Sequence, residues 1–293
     1  MKDALLPLPK DDGRDFRVGA LITMPAVLLD RFEITIPKEY RFIQNDDTCA
    51  KEATTTLASY LNKTKLEGLL TWVLARTRED MKPEDWGIDL RSMLMGWVKF
   101  GGLKYEDSPF HNDTPRNIFA DITNWDLKML MPKMLEWKAG SAVFIYPTQG
   151  RDFFDSVRAT MQQLGVPIAV GMRWNSDPQN PDVDKWYDEG FGHAVLFIRG
   201  WKGEKLEGRI LNSWGENVGD MGEYNITREV INHDAAIYGA GTLIDATADE
   251  VRWYLKNGVK MDDSMVKSLV KPFWEAIIDL LRQLRDKLLW KLS

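Results

Sequence analysis

The hydrophobic pattern of this 293-residue chain changes near residue 140, and the change limits the folds that are open to it. Before that point apolar residues recur at helical spacing, and after it short apolar runs alternate with turn-forming residues. Helices followed by strands are typical of an α+β domain. A chain of this length can bury a sizeable core, so we interpret it as one domain with two packed halves.

The predicted elements follow from this pattern. The predicted helices are 50–61, 66–76, 90–100, 125–137 and 153–164. The predicted strands are 141–146, 168–174, 194–200, 209–213 and 224–226, and we expect the last three to be consecutive strands of one sheet. Residues 1–40 are punctuated by prolines, which favours an irregular strap over a helical segment.

The C-terminal segment has a different character. Its apolar residues form one stripe of a helix, and they are Val270, Trp274, Ile277, Leu281, Leu284, Leu288 and Leu292. Three interpretations stay open for this amphipathic helix. It packs back on its own domain, it docks to a protein partner or to a second copy of the chain through residues 272–292, or it lies on a membrane surface.

Composition excludes several classes of protein and site. The net charge of -6 argues against nucleic acid as the main partner, because no surplus of basic residues exists to neutralise phosphates. A single cysteine excludes an intrachain disulfide and a cysteine-rich zinc site. The N-terminal residues do not resemble a signal peptide, and no apolar run approaches the roughly 18 residues of a membrane span. We expect a cytoplasmic protein without a metal ion or an organic cofactor.

Cys49, the single cysteine, lies between a polar loop and a predicted helix. A thiol at that position is acidified by the helix dipole and by a neighbouring imidazolium. His193 opens an apolar run and can exchange a proton with the thiol, and Asn212 can orient the imidazole. Gln44 can donate an amide N–H to an oxyanion, together with the backbone N–H of Cys49. Trp214 is predicted to shield the contact between Asn212 and His193 from water.

These residues, in this order, resemble the papain-like cysteine peptidases of the C1 type. The similarity includes Asn212-Ser213-Trp214-Gly215 and its continuation through residues 219–224, and it covers roughly residues 40–230. It implies a two-lobed fold, in which a helical left lobe carries Cys49 and a β-rich right lobe carries His193 and Asn212. A peptide substrate would bind in the cleft between the lobes.

The resemblance also implies domain boundaries. The papain-like domain is predicted over 1–262, with a helical lobe at about 41–138. The β-rich lobe is predicted at about 139–250, together with the N-terminal strap. Residues 263–293 form the C-terminal helix, for docking or oligomerisation. Only 48 residues precede Cys49, which is similar to bacterial and phage relatives that have no long propeptide.

The function that this implies is a cysteine endopeptidase acting on a peptide or protein substrate. One departure opens an alternative, because alanine follows Cys49 where the family has an aromatic residue. The chain would then be a papain-fold structural or interaction protein with weak or no activity, part of a phage particle, virion or other assembly. A third possibility is acyl transfer to an amine acceptor.

Overall fold

The structure is a computed structural model that describes residues 16–17, 28–44, 48–78, 87–110, 126–145, 152–174, 177–183, 191–203, 206–233 and 237–245. The C-terminal segment 263–293, with its predicted amphipathic helix, lies outside the described residues, so its docking role stays a prediction. Within the described ranges, no helix has the length and apolar character needed to cross a membrane.

The helices lie mainly in the first half of the described chain. They are α1 (Cys49–Asn62), α2 (Leu69–Arg78), α3 (Leu90–Phe100), α4 (Leu127–Leu135), α5 (Phe153–Leu164) and the short α6 (Arg228–Ile231). The predicted bounds of α3 and α5 are confirmed. Each begins after an aspartate whose side chain accepts a hydrogen bond from a first-turn backbone N–H, at 2.9 Å for Asp89 and 3.1 Å for Asp152.

Gly101 ends helix α3 where it meets helix α4. Its φ of 70° lies in the left-handed region that favours glycine. A Cβ atom at this position would lie 2.0 Å from the carbonyl oxygen of Met134 in α4. The backbone of α3 therefore approaches α4 more closely than any other residue type would allow.

The strands form one large sheet and one small one. They are β1 (Phe16–Arg17), β2 (Arg31–Glu33), β3 (Leu66–Glu67), β4 (Leu103–Lys104), β5 (Ser141–Ile145), β6 (Ile168–Trp174), β7 (Asp182–Val183), β8 (Phe191–Trp201), β9 (Gly208–Leu211), β10 (Glu223–Ile226) and β11 (Ile237–Ile244). The large sheet has the order β1-β5-β11-β6-β8-β9-β10-β7, and β2 also pairs with β8. Strands β3 and β4 pair separately. The mixed α+β class and the run of β8, β9 and β10 are confirmed.

Strand β8 organises the sheet around the candidate site. Its residues 191–197 pair with β6, and its last residues pair with β2 on one side and β9 on the other. Helices α1 and α3 pack on the sheet, and α5 packs on β6 and β8. Residues of all these elements share one buried apolar core, which holds α1 and β8 in fixed relative positions.

Two sequence predictions are wrong. Leu66 and Glu67 form strand β3, paired with β4, instead of the first turn of a helix. The chain leaves α1 at Lys63 with a left-handed φ of 52°, and α2 starts only after Gly68. The strap over residues 1–40 is not wholly irregular, because β1 and β2 join the large sheet. Strand β11 was not predicted.

A cluster of buried charged side chains joins the start of α1 to β3. Lys51 Nζ lies 2.7 Å from Glu52 Oε1. Glu67 accepts hydrogen bonds from the backbone N–H of Leu69 at 2.6 Å and from the hydroxyl of Ser108 at 3.5 Å. Burial opposes the charge on Lys51, but the two glutamates hold the pKa of its ammonium above the usual value. Burial raises the pKa of Glu67 to about 7 against the attraction of Lys51, and the nearby Glu52 carboxylate adds to the rise.

Glu67→Gln should stabilise the protein at alkaline pH. Below pH 4.5 the carboxyl is protonated in both the folded and the unfolded chain. Between pH 4.5 and about 7 only the unfolded chain loses the proton, so Glu67 lowers the free energy of unfolding as pH rises. At pH 8 the variant should be more stable than wild type by about 1–3 kcal/mol, and at pH 4 the two should be equal.

Urea unfolding at both pH values measures this difference. Exposed Glu106→Gln is the matched control, and we expect it to change stability little at either pH. A Glu67→Gln protein that is less stable than wild type at pH 8 would show that the charge is fully compensated by Lys51.

Candidate active site

Cys49 is the first residue of helix α1. It is 9% exposed, whereas the next residue, Ala50, is only 1% exposed. The backbone N–H groups of the first helical turn have no acceptor within the helix, and they create a positive end. That environment is suited to a developing oxyanion.

His193 and Asn212 are joined by a buried hydrogen bond. The distance between His193 Nε2 and Asn212 Oδ1 is 2.8 Å, and the two residues are 1% and 6% exposed. The contact expected from the sequence is therefore present, while the catalytic roles of both residues remain predictions. Among the described residues, no group of three or more His, Cys, Asp or Glu side chains is placed to hold a metal ion.

The same contact determines the tautomer of His193. The amide oxygen of Asn212 also accepts the backbone N–H of Ser213 at 2.7 Å, which identifies that end of the side chain as the oxygen. An oxygen acceptor requires His193 to carry its proton on Nε2. Nδ1 is then the ring nitrogen that can take a proton from a thiol.

Three aromatic rings surround the imidazole of His193. Trp214 lies against it with ring centres 4.8 Å apart and planes inclined by 30°. Trp174 and Phe191 meet it edge-on at 5.6 Å and 6.0 Å. Burial lowers the pKa of His193 to about 4, and the hydrogen bond that His193 donates to Asn212 opposes this shift. This shift favours the neutral form of the imidazole at pH 7.

A tight loop after Trp214 returns the chain to the sheet. The backbone N–H of Asn212 donates to the carbonyl of Gly222 at 2.9 Å. Gly222 has a φ of 82°, and a Cβ there would lie 3.0 Å from the carbonyl oxygen of Gly215. Glycine thus allows the loop to close and to hold Trp214 over His193.

Ser213 connects Gln44 to the same segment. The backbone N–H of Gln44 donates to Ser213 O at 2.8 Å, and the Ser213 hydroxyl donates to Gln44 Oε1 at 2.6 Å. Because the amide oxygen of Gln44 faces Ser213, its N–H groups lie on the other side. Arg41, three residues earlier, pairs with Glu223 of β10 at 2.8 Å and anchors this part of the strap.

Helix α1 meets the histidine segment at a small cavity. Glu52 and Ala53, which follow Cys49 by three and four residues, line the cavity from the helix. Ala194, the neighbour of His193, and Asn212 line it from the sheet. The first turns of α1 therefore lie against the residues that position the imidazole.

The roles of three residues at the candidate site were not predicted from the sequence. Trp174 and Phe191 are paired in register between β6 and β8, two positions from Met172 and His193. Phe191 and His193 lie outside the predicted strand 194–200, and strand register is not readable from spacing alone. The role of Ser213 depends on Gln44, which is 169 residues away in sequence.

Known structures share this arrangement of elements. The chain is similar to xylellain, a cysteine protease from Xylella fastidiosa, with 18% identity, a TM-score of 0.67 and coverage of 83% of this chain and 96% of that chain. The chain has the papain-like fold. It is also similar to digestive procathepsin L 3 from Tenebrio molitor larval midgut, with 13% identity, a TM-score of 0.57 and coverage of 82% and 77%. For the Carica candamarcensis cysteine protease CMS1MS2 in complex with E-64, the identity is 11%, the TM-score 0.50 and the coverage 74% and 99%.

The similarity to these proteins is found in the three-dimensional structure and not in the sequence. No protein-family model matches the sequence, and no curated protein does. The relatives named above come from a bacterium, an insect and a plant, and they give no support to the predicted association with a phage particle or virion. The cytoplasmic location and the partners likewise remain predictions.

The proton affinity of His193 can be measured directly. In Cys49→Ala, which has no thiolate, we expect the ring to titrate with a pKa of about 4. Adding Trp214→Ala should admit water and move the pKa up towards 6.5. NMR titration of the imidazole carbons checks both values.

Trp137→Ala, in the same Cys49→Ala background, is the control, because Trp137 packs on Lys104 away from the imidazole. A His193 pKa that is already near 6.5 in Cys49→Ala would contradict the sheltered site described here.

Proposed function

We propose that this protein is a cysteine peptidase that hydrolyses peptide bonds through an acyl-enzyme. The observation that carries the proposal is the buried His193–Asn212 hydrogen bond under Trp214, in a papain-like fold whose single cysteine begins helix α1. The substrate is a peptide or a protein, and no cofactor takes part in the proposed steps.

The first half of the reaction forms the acyl-enzyme. His193 Nδ1 takes the proton of the Cys49 thiol, and the sulfur attacks the carbonyl carbon of the peptide. The backbone N–H of Cys49 and an amide N–H of Gln44 donate to the oxyanion. The C–N bond then breaks as the imidazolium returns its proton to the leaving amine, and a thioester remains on Cys49.

The second half releases the acyl group. His193 removes a proton from a water molecule, and the water oxygen attacks the thioester carbon. The C–S bond breaks, the carboxylic acid leaves, and Cys49 recovers its proton. Asn212 acts throughout by holding Nε2–H, so that Nδ1 stays the exchanging nitrogen.

Cys49→Ala should abolish peptide hydrolysis and labelling by a thiol-directed epoxide, because the nucleophile is removed. Both can be measured on the full chain, with a peptide library for hydrolysis and intact mass spectrometry for labelling. Circular dichroism confirms that the variant folds. Epoxide labelling at an equal rate in Cys49→Ala would overturn the proposed nucleophile.

The same experiment separates the alternatives. Hydrolysis of a peptide by wild type, lost in Cys49→Ala, supports the peptidase. A Cys49 that reacts no faster than a free thiol would favour an interaction module with the papain-like fold. Product analysis with an added amine distinguishes transfer from hydrolysis.

Gln44→Ala should lower kcat by about 10²–10³ and change KM little, since the lost donor acts on the oxyanion. Ser213→Ala should lower kcat less, because it removes only the contact that orients Gln44. The double variant should be no slower than Gln44→Ala alone if both act through one donor. Additive losses in kcat would show that Ser213 acts independently of Gln44.

A further inference from the structure

The cavity between helix α1 and the sheet has polar groups on both sides. Glu52 and Thr56 line it from α1, and Asn212 and Ser213 line it from the segment after β9. The volume of the cavity is about 10 Å³, which is roughly the room that one water molecule requires.

Asn212 presents a buried donor at this place. Its Oδ1 accepts from His193 and from the backbone of Ser213. Its Nδ2 is shielded from solvent, and no described residue provides it with an acceptor. A buried amide nitrogen left in that state costs stability, and such groups are normally satisfied by protein or by internal water.

Glu52 presents a buried acceptor across the cavity. The residue is 3% exposed. Its Oε1 takes the Thr48 hydroxyl at 3.3 Å and the Lys51 ammonium at 2.7 Å. Thr48 immediately precedes Cys49, so one carboxylate oxygen already holds the residue next to the thiol.

We propose that this cavity binds one water molecule, which accepts from Asn212 Nδ2 and donates to Glu52, and that Glu52 is thereby a positioning residue for the candidate site. Its catalytic meaning rests on the proposed function. The occupant must accept a hydrogen bond from an amide N–H and donate one to a carboxylate. A water molecule does both, whereas a cation has no lone pair that could accept the amide N–H. The water need not be displaced or consumed in any step.

This arrangement would link the two halves of the site. On one side Glu52 holds Thr48 at the start of α1, and on the other the water fixes the plane of the Asn212 amide. With both ends of the amide engaged, its oxygen is held towards His193 Nε2. The thiol and the imidazole would thus be oriented by the same carboxylate.

A crystal structure of the wild-type full chain, at a resolution that shows ordered water, tests the bound molecule. We expect density within about 2.7–3.2 Å of both Asn212 Nδ2 and a Glu52 oxygen. A dry cavity, or a direct hydrogen bond from Asn212 to Glu52, would overturn the proposal.

The rate of alkylation of Cys49 by iodoacetamide, measured from pH 4 to 9, tests the positioning role. Glu52→Gln leaves one acceptor oxygen, which Lys51 and Thr48 occupy, so the water loses the acceptor to which it donates. Ala53→Val fills the cavity without changing charge, and it serves if Glu52→Gln does not fold. Either change should slow alkylation at pH 6 about tenfold, as expected for one lost buried hydrogen bond, and move the acidic limb to higher pH.

Glu67→Gln is the matched control, because it removes a carboxylate of the same buried cluster that does not line the cavity. We expect its alkylation profile to follow that of wild type. Equal losses in Glu52→Gln and Glu67→Gln, or no loss in Glu52→Gln and Ala53→Val, would overturn the proposal. Alkylation needs no peptide, so a wild type that fails to hydrolyse peptides contradicts the proposed function and leaves this test valid.

Discussion

The hydrogen bond between His193 and Asn212 is the contact on which the geometry of the proposed site depends. It gives the buried imidazole a hydrogen-bond partner and selects the tautomer with the proton on Nε2. Nδ1 is then the nitrogen available for proton transfer. The acceptor of the hydrogen bond belongs to a three-residue segment in which each side chain has a separate task. Asn212 accepts the hydrogen bond from His193, and the Ser213 hydroxyl donates to Gln44. The ring of Trp214 lies against the imidazole.

Burial of the imidazole has two opposing effects. It lowers the pKa of His193, so an isolated imidazolium is disfavoured. It also lowers the local dielectric, which strengthens the attraction between an imidazolium and a thiolate once both are formed. In the proposed mechanism a thiolate and an imidazolium stabilise each other, so their titrations are coupled. In that mechanism, reactivity would depend on the relative placement of α1 and β8, which contribute to one shared core.

Local sequence patterns predicted much of the fold, and long-range pairing explains the failures. Helices α3 and α5 and strand β6 were predicted with their observed bounds, because apolar spacing and capping residues coincide there. Strand β11 was missed because Gly239 and Gly241 read as turn residues. In the structure a Cβ at Gly241 would lie 2.7 Å from Leu94 Cδ1 of α3, so glycine allows a helix to approach this strand.

In the candidate site, too, local features were predicted from the sequence and long-range contacts were not. The residue types and order of Cys49, His193, Asn212 and Gln44 were readable from the sequence, because their chemistry is distinctive. The aromatic surroundings of the imidazole were not readable, since they depend on the register of β6 against β8. The segment that closes over the imidazole was recognised as a motif, but its contact with Gln44 requires the tertiary fold.

Lys51 and Glu52 are unusual residues for the position that they occupy. They lie two and three residues after Cys49 in the first turn of α1, yet the side chain of Glu52 is buried and that of Lys51 is only 13% exposed. Replacing a buried ion pair by apolar residues of similar volume is often neutral or stabilising, so stability alone is a weak reason for such a pair. Here the carboxylate of Glu52 also holds Thr48, the residue before the thiol, and lines a cavity shared with Asn212. The proposed orientation of Cys49 and of the imidazole accounts for a charged pair at this place better than stability of the helix does.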